Sequence, residues 1–522
     1  MDFDVIVIGS GFGGAITGCR LAEAGYRVLI LERGRRWDKD SYPRKPGDMW
    51  TWSHQHPELE HGWLDLRVFP HMAVAAGAGV GGGSLIYANV SCEPPAKIFE
   101  KGWPPEITYS ELQPYYETVA RFMNVQKVPA NQWTRRMRLM QEAAGQAGFG
   151  DRFTQLELAV SFDPDWTYEQ DDPFNPAKSK KFVNAQGVEQ GTCVHLANCD
   201  FGCDVYAKNT LDRNYIPWAE KHGAEVRELH LVSRLEPVQG GYRVSYDRIA
   251  DGRRASGSQT ARLVIVAAGS LGSTELLLRS RDEAGTLPQL SPFLGRNWSS
   301  NGDFLTPAFY DREIDPSHGP TIACAINFLD GSQNGQAFWV EDGGFPNLLA
   351  NFLDAEHARG VKSKMLLDTF RHLLRDVEPF RNVMPWFAQG VDAANGVFSL
   401  KRSVLTGEAE LHLDWDIAKS REVIDTIVAT HEKLSHATGG KPVVPPTWSL
   451  LHDLITPHPL GGCNMGNTPA DGVVNHKGEV FGYPNLYVAD GAIIPEALGV
   501  NPSRTIGALA ERIARLIREE GR

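Results

Sequence analysis

The stretch 4-DVIVIGSGFGGAITGCRLAEAGYRVLILERG-34 decides the fold. DVIVIG is a continuous, β-branched apolar run, suited to a strand buried on both faces of a parallel sheet. Gly9, Gly11 and Gly14 form G-x-G-x-x-G. A helix is predicted next, with Ala15, Cys19 and Ala22 at helical spacing and Gly25 placed to end it. YRVLILE then reads as a second buried strand closing at Glu32. This is the pattern of a dinucleotide site. Gly9 allows the tight turn, Gly11 lets backbone approach a pyrophosphate, and Gly14 lets helix and strand pack closely. The helix N-terminus presents free N–H groups and a partial positive charge to phosphates. Glu32, 18 residues past Gly14, can accept hydrogen bonds from an adenosine ribose.

Further segments favour a permanently bound flavin over a nicotinamide nucleotide. The run 75-AAGAGVGGGSLIYANV-90 holds five glycines in ten residues, a second loop that suits a ligand gripped along its length. The piece 261-ARLVIVAAGSLGSTELLLRS-280 is another strand, glycine turn and helix, predicted to add a parallel strand to the same sheet. The tail begins with the short strand 485-NLYVAD-490, followed by Gly491. Asn501 and Pro502 read as the cap and first residue of a helix, with Ile506, Leu509, Ile513 and Leu516 on one face. Glu511 and Arg515 are spaced to pair along it. A helix N-terminus aimed at the pyrimidine end of a reduced flavin would stabilise its negative charge.

The tail also contains 455-ITPHPLGGCNMG-466. Pro457 and Pro459 restrict the backbone on both sides of His458, and Gly461 and Gly462 let the chain pass close to something bulky. A lone histidine in a turn is most often a satisfied surface or core residue. The alternative is an imidazole held in one pose for chemistry.

The composition narrows the function classes. The chain has 522 residues, enough for two or three domains. Its 52 basic and 64 acidic side chains give a net charge of −12, which argues against a nucleic-acid partner. The sequence has no run of about 18 apolar residues, so no transmembrane helix is expected. The N-terminus leads straight from strand to turn, so no signal peptide is expected and the cytoplasm is the predicted compartment. Seven sparsely placed cysteines do not make a disulfide framework.

Taken together, VIGSGFGGA, AGAGVGGGSL, HPLGGC, YVADGAIIP and GVNPSRTIGALAER resemble, in order, the glucose–methanol–choline (GMC) oxidoreductase family, and within it the cholesterol oxidase branch. The resemblance runs from end to end. It implies an α/β fold: a Rossmann-like FAD-binding domain (1–110, 191–300 and 450–522) with an inserted α+β substrate-binding domain (111–190 and 301–449). It implies non-covalent FAD, because the histidine nearest the second glycine loop, His71, lies several residues ahead of it. Cofactor contacts are expected from Gly9, Gly11, Phe12, Gly13, Gly14 and Glu32, then Gly79, Gly82, Gly83, Ser84, Tyr87 and Asn89. Val232, Gly269, Asp490, Gly491, Asn501 and Pro502 complete the set.

The resemblance also implies the chemistry: oxidation of the CH–OH group of an alcohol, with hydride passing to flavin N5. His458 is carried over as the group that takes or polarises the hydroxyl proton, and Asn501 as a donor to the developing charge. The sequence departs from cholesterol oxidases at Tyr87, where they usually carry Asn, and at Ser503, where they usually carry Phe. It also departs in 386-WFAQGVDAANGVFSL-400, read as the strand entering the active site. Cholesterol oxidases have an isomerising glutamate there, and here Gln389 and Asp392 are the nearest polar candidates. Oxidation is therefore better supported than isomerisation.

Met384, Trp386, Phe387 and Gln389 are expected to bind substrate, a bulky apolar alcohol of sterol or terpenoid kind. Oxygen or another acceptor would reoxidise the flavin. Competing readings are a GMC dehydrogenase for sugars or glycosides, and a flavin-fold binding or escort protein without turnover. The amphipathic piece 361–380, with Leu366, Phe370, Leu373 and Leu374 on one face, reads as a packed helix or as a lid or peripheral membrane contact. Cys193, Cys199, Cys203 and His195 match no common zinc spacing, so no metal is expected.

Overall fold

In a computed structural model of the chain, residues 1–45, 47–346, 381–403 and 407–521 are described. Strand β1 (Phe3–Ile8), helix α1 (Phe12–Glu23) and strand β2 (Val28–Leu31) open the chain, and the hairpin β3 (Leu64–Phe69) and β4 (Met72–Gly77) follows. Next come helices α2 (Tyr109–Phe122) and α3 (Arg135–Gln146), strand β5 (Phe153–Gln155) and the small hairpin β6 (Phe182–Val183) and β7 (Glu189–Gln190). Helix α4 (Tyr215–Lys221) precedes strands β8 (Glu225–Arg227), β9 (His230–Val238), β10 (Gly241–Ala250) and β11 (Arg253–Val266), with helix α5 (Gly269–Leu278) after them. Strands β12 (Phe304–Phe309), β13 (Cys324–Asn327), β14 (Phe338–Asp342) and β15 (Val383–Gly390) come next, then the hairpin β16 (Val397–Arg402) and β17 (Ala409–Asp414). Helix α6 (Arg421–Ala437), strand β18 (Lys441–Pro442), helix α7 (Pro446–Leu451), strands β19 (Leu454–Thr456) and β20 (Leu486–Val488) and helix α8 (Ser503–Glu519) complete the order.

The apolar runs do what their composition requires. Val5, Ile6, Val7 and Ile8 of β1 are buried, as is all of β2. β1 pairs in parallel with β2 and with β11, and β20 adds to β11 in parallel. The sheet order is β8-β2-β1-β11-β10-β9, with β20 on the far side of β11. β11 is long enough to serve twice. Its first part pairs antiparallel with β10, and its end joins the parallel core beside β1.

A second sheet, ordered β18-β12-β15-β14-β13-β5, is antiparallel throughout. Its strands all come from 111–190 and 301–449. Helices α3 and α6 pack on one side of it. Helix α2, from the same interval, instead lies along α8, with Tyr116 Oη 3.1 Å from Thr505 Oγ1 and Glu111 paired to Arg512 at 3.0 Å.

A third sheet, β19-β4-β3, brings two motifs together. β4 and β19 run parallel, with Thr456 opposite Val74. β4 feeds the second glycine run, and β19 feeds the turn of His458. No helix among the described residues is long and apolar enough to cross a membrane. The amphipathic piece 361–380 lies outside the described residues.

Two expectations for the tail are corrected. The head of α8 is capped by Pro502, and the Asn501 side chain makes no cap hydrogen bond. Glu511 does not pair with Arg515. It takes the half-buried Arg20 guanidinium of α1 at 2.8 Å and the Tyr215 hydroxyl at 2.8 Å, because its side of α8 packs against α1. Arg515 turns outward to Glu519 and Glu111.

Candidate active site

Gly9 has φ +96°, and a Cβ there would lie 2.3 Å from the Ala267 carbonyl oxygen of the neighbouring strand end. Gly14 would meet the Gly9 carbonyl at 2.0 Å, which is the close helix–strand contact read from the spacing. Gly11 differs: the nearest atom to a Cβ there is Gly82 Cα, at 3.9 Å. Gly82 itself, at φ +51°, would place a Cβ 2.5 Å from Gly11 Cα. The two glycine runs therefore meet backbone to backbone and leave open space on the Gly11 side. Helix α1 starts at that point with no side-chain cap and no acid in its first turn, so its N–H groups are available to an anion.

Glu32 is buried at the end of β2. One oxygen accepts from the Ser10 N–H at 3.0 Å and hydroxyl at 2.7 Å, the other from the Gly34 N–H at 2.9 Å. Burial pushes its carboxyl up, and these bonds with nearby Arg33 oppose the rise. Val232 is half-buried on β9, two residues past His230, whose N–H bonds the Glu32 carbonyl. Ser84 Oγ bridges the Gly81 carbonyl and the Leu211 N–H at 2.7 and 3.0 Å, and the Tyr87 hydroxyl donates to the Asn209 carbonyl at 2.7 Å. Phe12 packs edge-on against Tyr87, 5.6 Å between centroids. Gly13 abuts the Ala489 carbonyl, while Gly79 lies against the Trp37 ring and Gly83 faces open space. The Asp490 carboxylate ties Gly269 N–H at 2.8 Å, Ser273 Oγ at 2.5 Å and Ala492 N–H at 2.8 Å, joining the Gly491 turn to the head of α5.

Asn89 is fully buried at φ +68°, and neither atom of its amide finds a partner among the described residues. The Asn501 side-chain oxygen is also buried without one. The chain around them is joined: Ser503 Oγ donates to the Val90 carbonyl at 3.0 Å, and Arg504 to the Ser91 carbonyl at 3.2 Å. Orphaned buried amides are costly unless a ligand satisfies them. The Asn89 amide and the Asn501 oxygen, beside a free helix head, fit the polar edge of a flavin ring.

His458 is mostly buried, and its Nδ1 stands 2.9 and 3.0 Å from the two carboxylate oxygens of Asp303. Asp303 is buried, and Thr456 Oγ1 lies 2.6 Å from it. The same Thr456 oxygen accepts the His458 N–H at 2.9 Å, so the stiff turn is fixed at both backbone and ring. Burial pushes the Asp303 carboxyl up, against the pull of His458 and Thr456. His458 Nε2 has no partner among the described residues.

Strand β15 presents its alternate side chains to this imidazole. The Phe387 ring is 6.3 Å from it, and two residues on, Gln389 donates to Glu341 Oε2 at 3.0 Å. Trp339 Nε1 donates to the Gln389 side-chain oxygen Oε1. Directly opposed pairs share a face, so Phe387 with Glu341 and Gln389 with Trp339 form one wall. Glu341 is fully buried. Burial pushes its carboxyl well above the usual range, and the amides of Gln389 and Asn501 oppose this while Asp342 and Asp303 add to it. Glu341 therefore links the β14–β15 wall to Asn501.

Three readings change. Met384 and Trp386 do not share the face of Phe387 and Gln389. They pair with Ala308 and Thr306 on the other face, where Thr306 bonds His431 of α6 at 2.9 Å, because side chains alternate along a strand. The site does contain a glutamate, supplied by β14 and not by 386–400. Its signal in the sequence is an acid set among apolar residues in 338-FWVEDGG-344. Asp303 was likewise missed. It follows the turn 301-NG-302 with nothing local to mark it. Asp392 does not enter the site, being held by Ser299 and Ser300 at 2.7 and 2.8 Å. Both nitrogens of His195 are engaged, with Gln132 at 3.0 Å and Tyr168 at 3.2 Å, and Cys193, Cys199 and Cys203 are free thiols.

The fold and site define a dinucleotide-binding α/β protein with a histidine and an asparagine facing one wall of a second sheet. Residues 393–510 match the GMC oxidoreductase family, and residues 7–44 the NAD(P)-binding Rossmann-like domain. A cholesterol oxidase of Acinetobacter baumannii is 31% identical over 541 residues, covering 98% of this chain and 93% of that one. A cholesterol oxidase of Mycobacterium tuberculosis is 33% identical over 553 residues, covering 100% and 92%. Among solved structures, pyridoxine 4-oxidase from Mesorbium loti superposes with a TM-score of 0.65 over 99% of each chain at 17% identity. The chain belongs to the GMC oxidoreductase family, in its cholesterol oxidase-like branch, and is an FAD-dependent alcohol oxidoreductase.

Proposed function

We propose that the protein oxidises the CH–OH group of a bulky apolar alcohol, sterol-like or terpenoid. The observation that carries the reading is the mostly buried His458, pinned through Nδ1 by Asp303 with Nε2 left open beside the Phe387 ring. FAD, when bound, supplies the hydride acceptor. Gly11, Gly82 and the head of α1 would hold its pyrophosphate, Glu32 its ribose, and Asn89 with the head of α8 its ring. His458 Nε2 takes the hydroxyl proton as the carbinol carbon is oxidised. The Asn501 amide, free of any cap, donates to the oxygen on which charge develops. Phe387 and Trp339 supply the apolar part of the β14–β15 wall. The full-length similarity to two cholesterol oxidases supports the apolar substrate and oxygen as acceptor. Alcohols should be screened for anaerobic bleaching of the bound flavin. Sterol or terpenoid alcohols are expected to bleach it fastest, and faster bleaching by glucose or simple glycosides would overturn the reading.

Glu341 favours a second step on the product. A buried carboxyl held well above its usual range can exchange a proton with carbon next to a new carbonyl. It would take a proton from the α-carbon of a β,γ-unsaturated ketone and return it to the γ-carbon, moving the double bond into conjugation. Glu341→Gln should leave flavin reduction within about threefold and lower appearance of the conjugated enone by about 10²-fold or more. Enone formation at the parent rate would remove Glu341 from that role.

A further inference from the structure

The segment 299-SSNGD-303 joins the turn of His458, the loop before Asn501 and the end of β15. Ser299 and Leu460 exchange backbone hydrogen bonds at 3.0 and 3.1 Å, which ties the segment to the turn of His458. Asn301 reaches the other side. Its side-chain oxygen accepts from the Leu498 and Gly499 N–H groups at 3.0 and 2.9 Å, and its nitrogen donates to the Val500 carbonyl at 3.0 Å. Those residues lead directly into Asn501. The Asn301 carbonyl accepts from the Gly390 N–H at 3.0 Å, at the end of β15. Asp392 holds Ser300 through its N–H and hydroxyl, both at 2.8 Å. Asp303 then ends the segment against His458.

The geometry points to Asp303 as the positioning residue of the reaction: it holds His458 with the proton on Nδ1, keeps Nε2 open to substrate, and balances the charge when Nε2 gains a proton. Asn301, on the same segment, sets the loop that presents Asn501. The inference rests on the reading of His458 as proton acceptor. The nitrogen that carries a histidine proton is set by what the other nitrogen meets, and a carboxylate at Nδ1 can only accept. In the step itself the substrate O–H bond breaks and an Nε2–H bond forms. The hydride leaves the carbinol carbon for FAD, so the alcohol is oxidised and the cofactor reduced. The Nδ1–H bond to Asp303 persists throughout, and the imidazolium formed is faced by a carboxylate. Other acids stand further back: Asp392 is bonded to Ser299 and Ser300, and Glu341 to Gln389. Among the described residues, only Asp303 makes a polar contact with the imidazole.

The test compares Asp303→Asn and His458→Ala with the parent holoenzyme, by anaerobic stopped-flow reduction of the bound flavin over a range of substrate concentrations. Asp303→Asn keeps the shape and an acceptor oxygen but removes the charge. The expected result is a fall of about tenfold or more in the limiting reduction rate. The apparent substrate Kd should stay within about threefold and FAD content should be unchanged, a split between rate and binding that a merely structural role would not produce. A parent-like rate in Asp303→Asn, with His458→Ala impaired, overturns the positioning role alone. A parent-like rate in His458→Ala overturns the reading beneath it. If Asp303→Asn does not retain FAD, Thr456→Val takes its place. It leaves the carboxylate and removes the hydroxyl 2.6 Å from it, so a smaller fall in rate at unchanged Kd is expected. Parent-like reduction in Thr456→Val would then overturn the proposal.

Discussion

Asn501 carries two readings, a helix cap and a donor to developing charge, and the structure removes the first. Its position before a proline suggests a helix cap, yet the cap position falls on Pro502 and the Asn501 oxygen is left without a partner. The two roles predict different mutant behaviour. Loss of a cap would cost about 1 kcal/mol of stability. Loss of a donor to developing charge would cost about 10²–10³ in rate. Asn501→Ala is therefore expected to melt close to the parent while its flavin reduction falls by about 10²–10³. A lowered melting temperature with a parent-like reduction rate would reverse the assignment. Gly11 and Gly14 were legible because spacing alone fixes what a missing Cβ permits. Asp303 was not, because nothing within the sequence around it tells that a histidine 155 positions away will meet it.

At the scale of elements, strands β14 and β15 decide what faces the site. Their period of two separates Phe387 and Gln389 from Met384 and Trp386, a division invisible when 384–389 is read as one apolar block. Glu341 becomes a site residue only through pairing of β14 with β15, since the register, not proximity in sequence, sets it opposite Phe387. The next residue, Asp342, points to the other face and meets Arg136 of α3. Both side chains are fully buried, 2.8 Å apart. Arg136 also donates to the carbonyls of Pro320, Thr321 and Gly343 at 2.7, 3.1 and 2.9 Å, and Asp342 accepts from the Ala323 and Cys324 N–H groups at 2.7 and 2.8 Å. This pair fixes β14, and with it Glu341, to the helix layer. Removing one partner of such a pair leaves a buried charge uncompensated and costs about 3–5 kcal/mol. Arg136→Met should lower the stability measured by urea unfolding by about that amount. An unchanged midpoint would show that the pair does not secure the strand.

For the whole molecule, the parallel sheet and its two glycine runs could be read from the sequence because each is a local pattern with a local physical cause. The second sheet could not be drawn in advance, because its strands come from separated parts of the chain and pair in an order that no local pattern encodes. The candidate site lies between the parallel sheet and the second sheet: β19 and β4 lead into the histidine turn and the second glycine run, Asn501 precedes α8, and Phe387 of β15 lies 6.3 Å from the imidazole. The central claim is that this arrangement makes His458 the proton acceptor in alcohol oxidation. Anaerobic stopped-flow reduction of the flavin in His458→Ala, with a sterol or terpenoid alcohol that bleaches the parent, tests it most directly. The account predicts a limiting reduction rate lower by about 10²–10⁴ with FAD content intact. Reduction at the parent rate would contradict it.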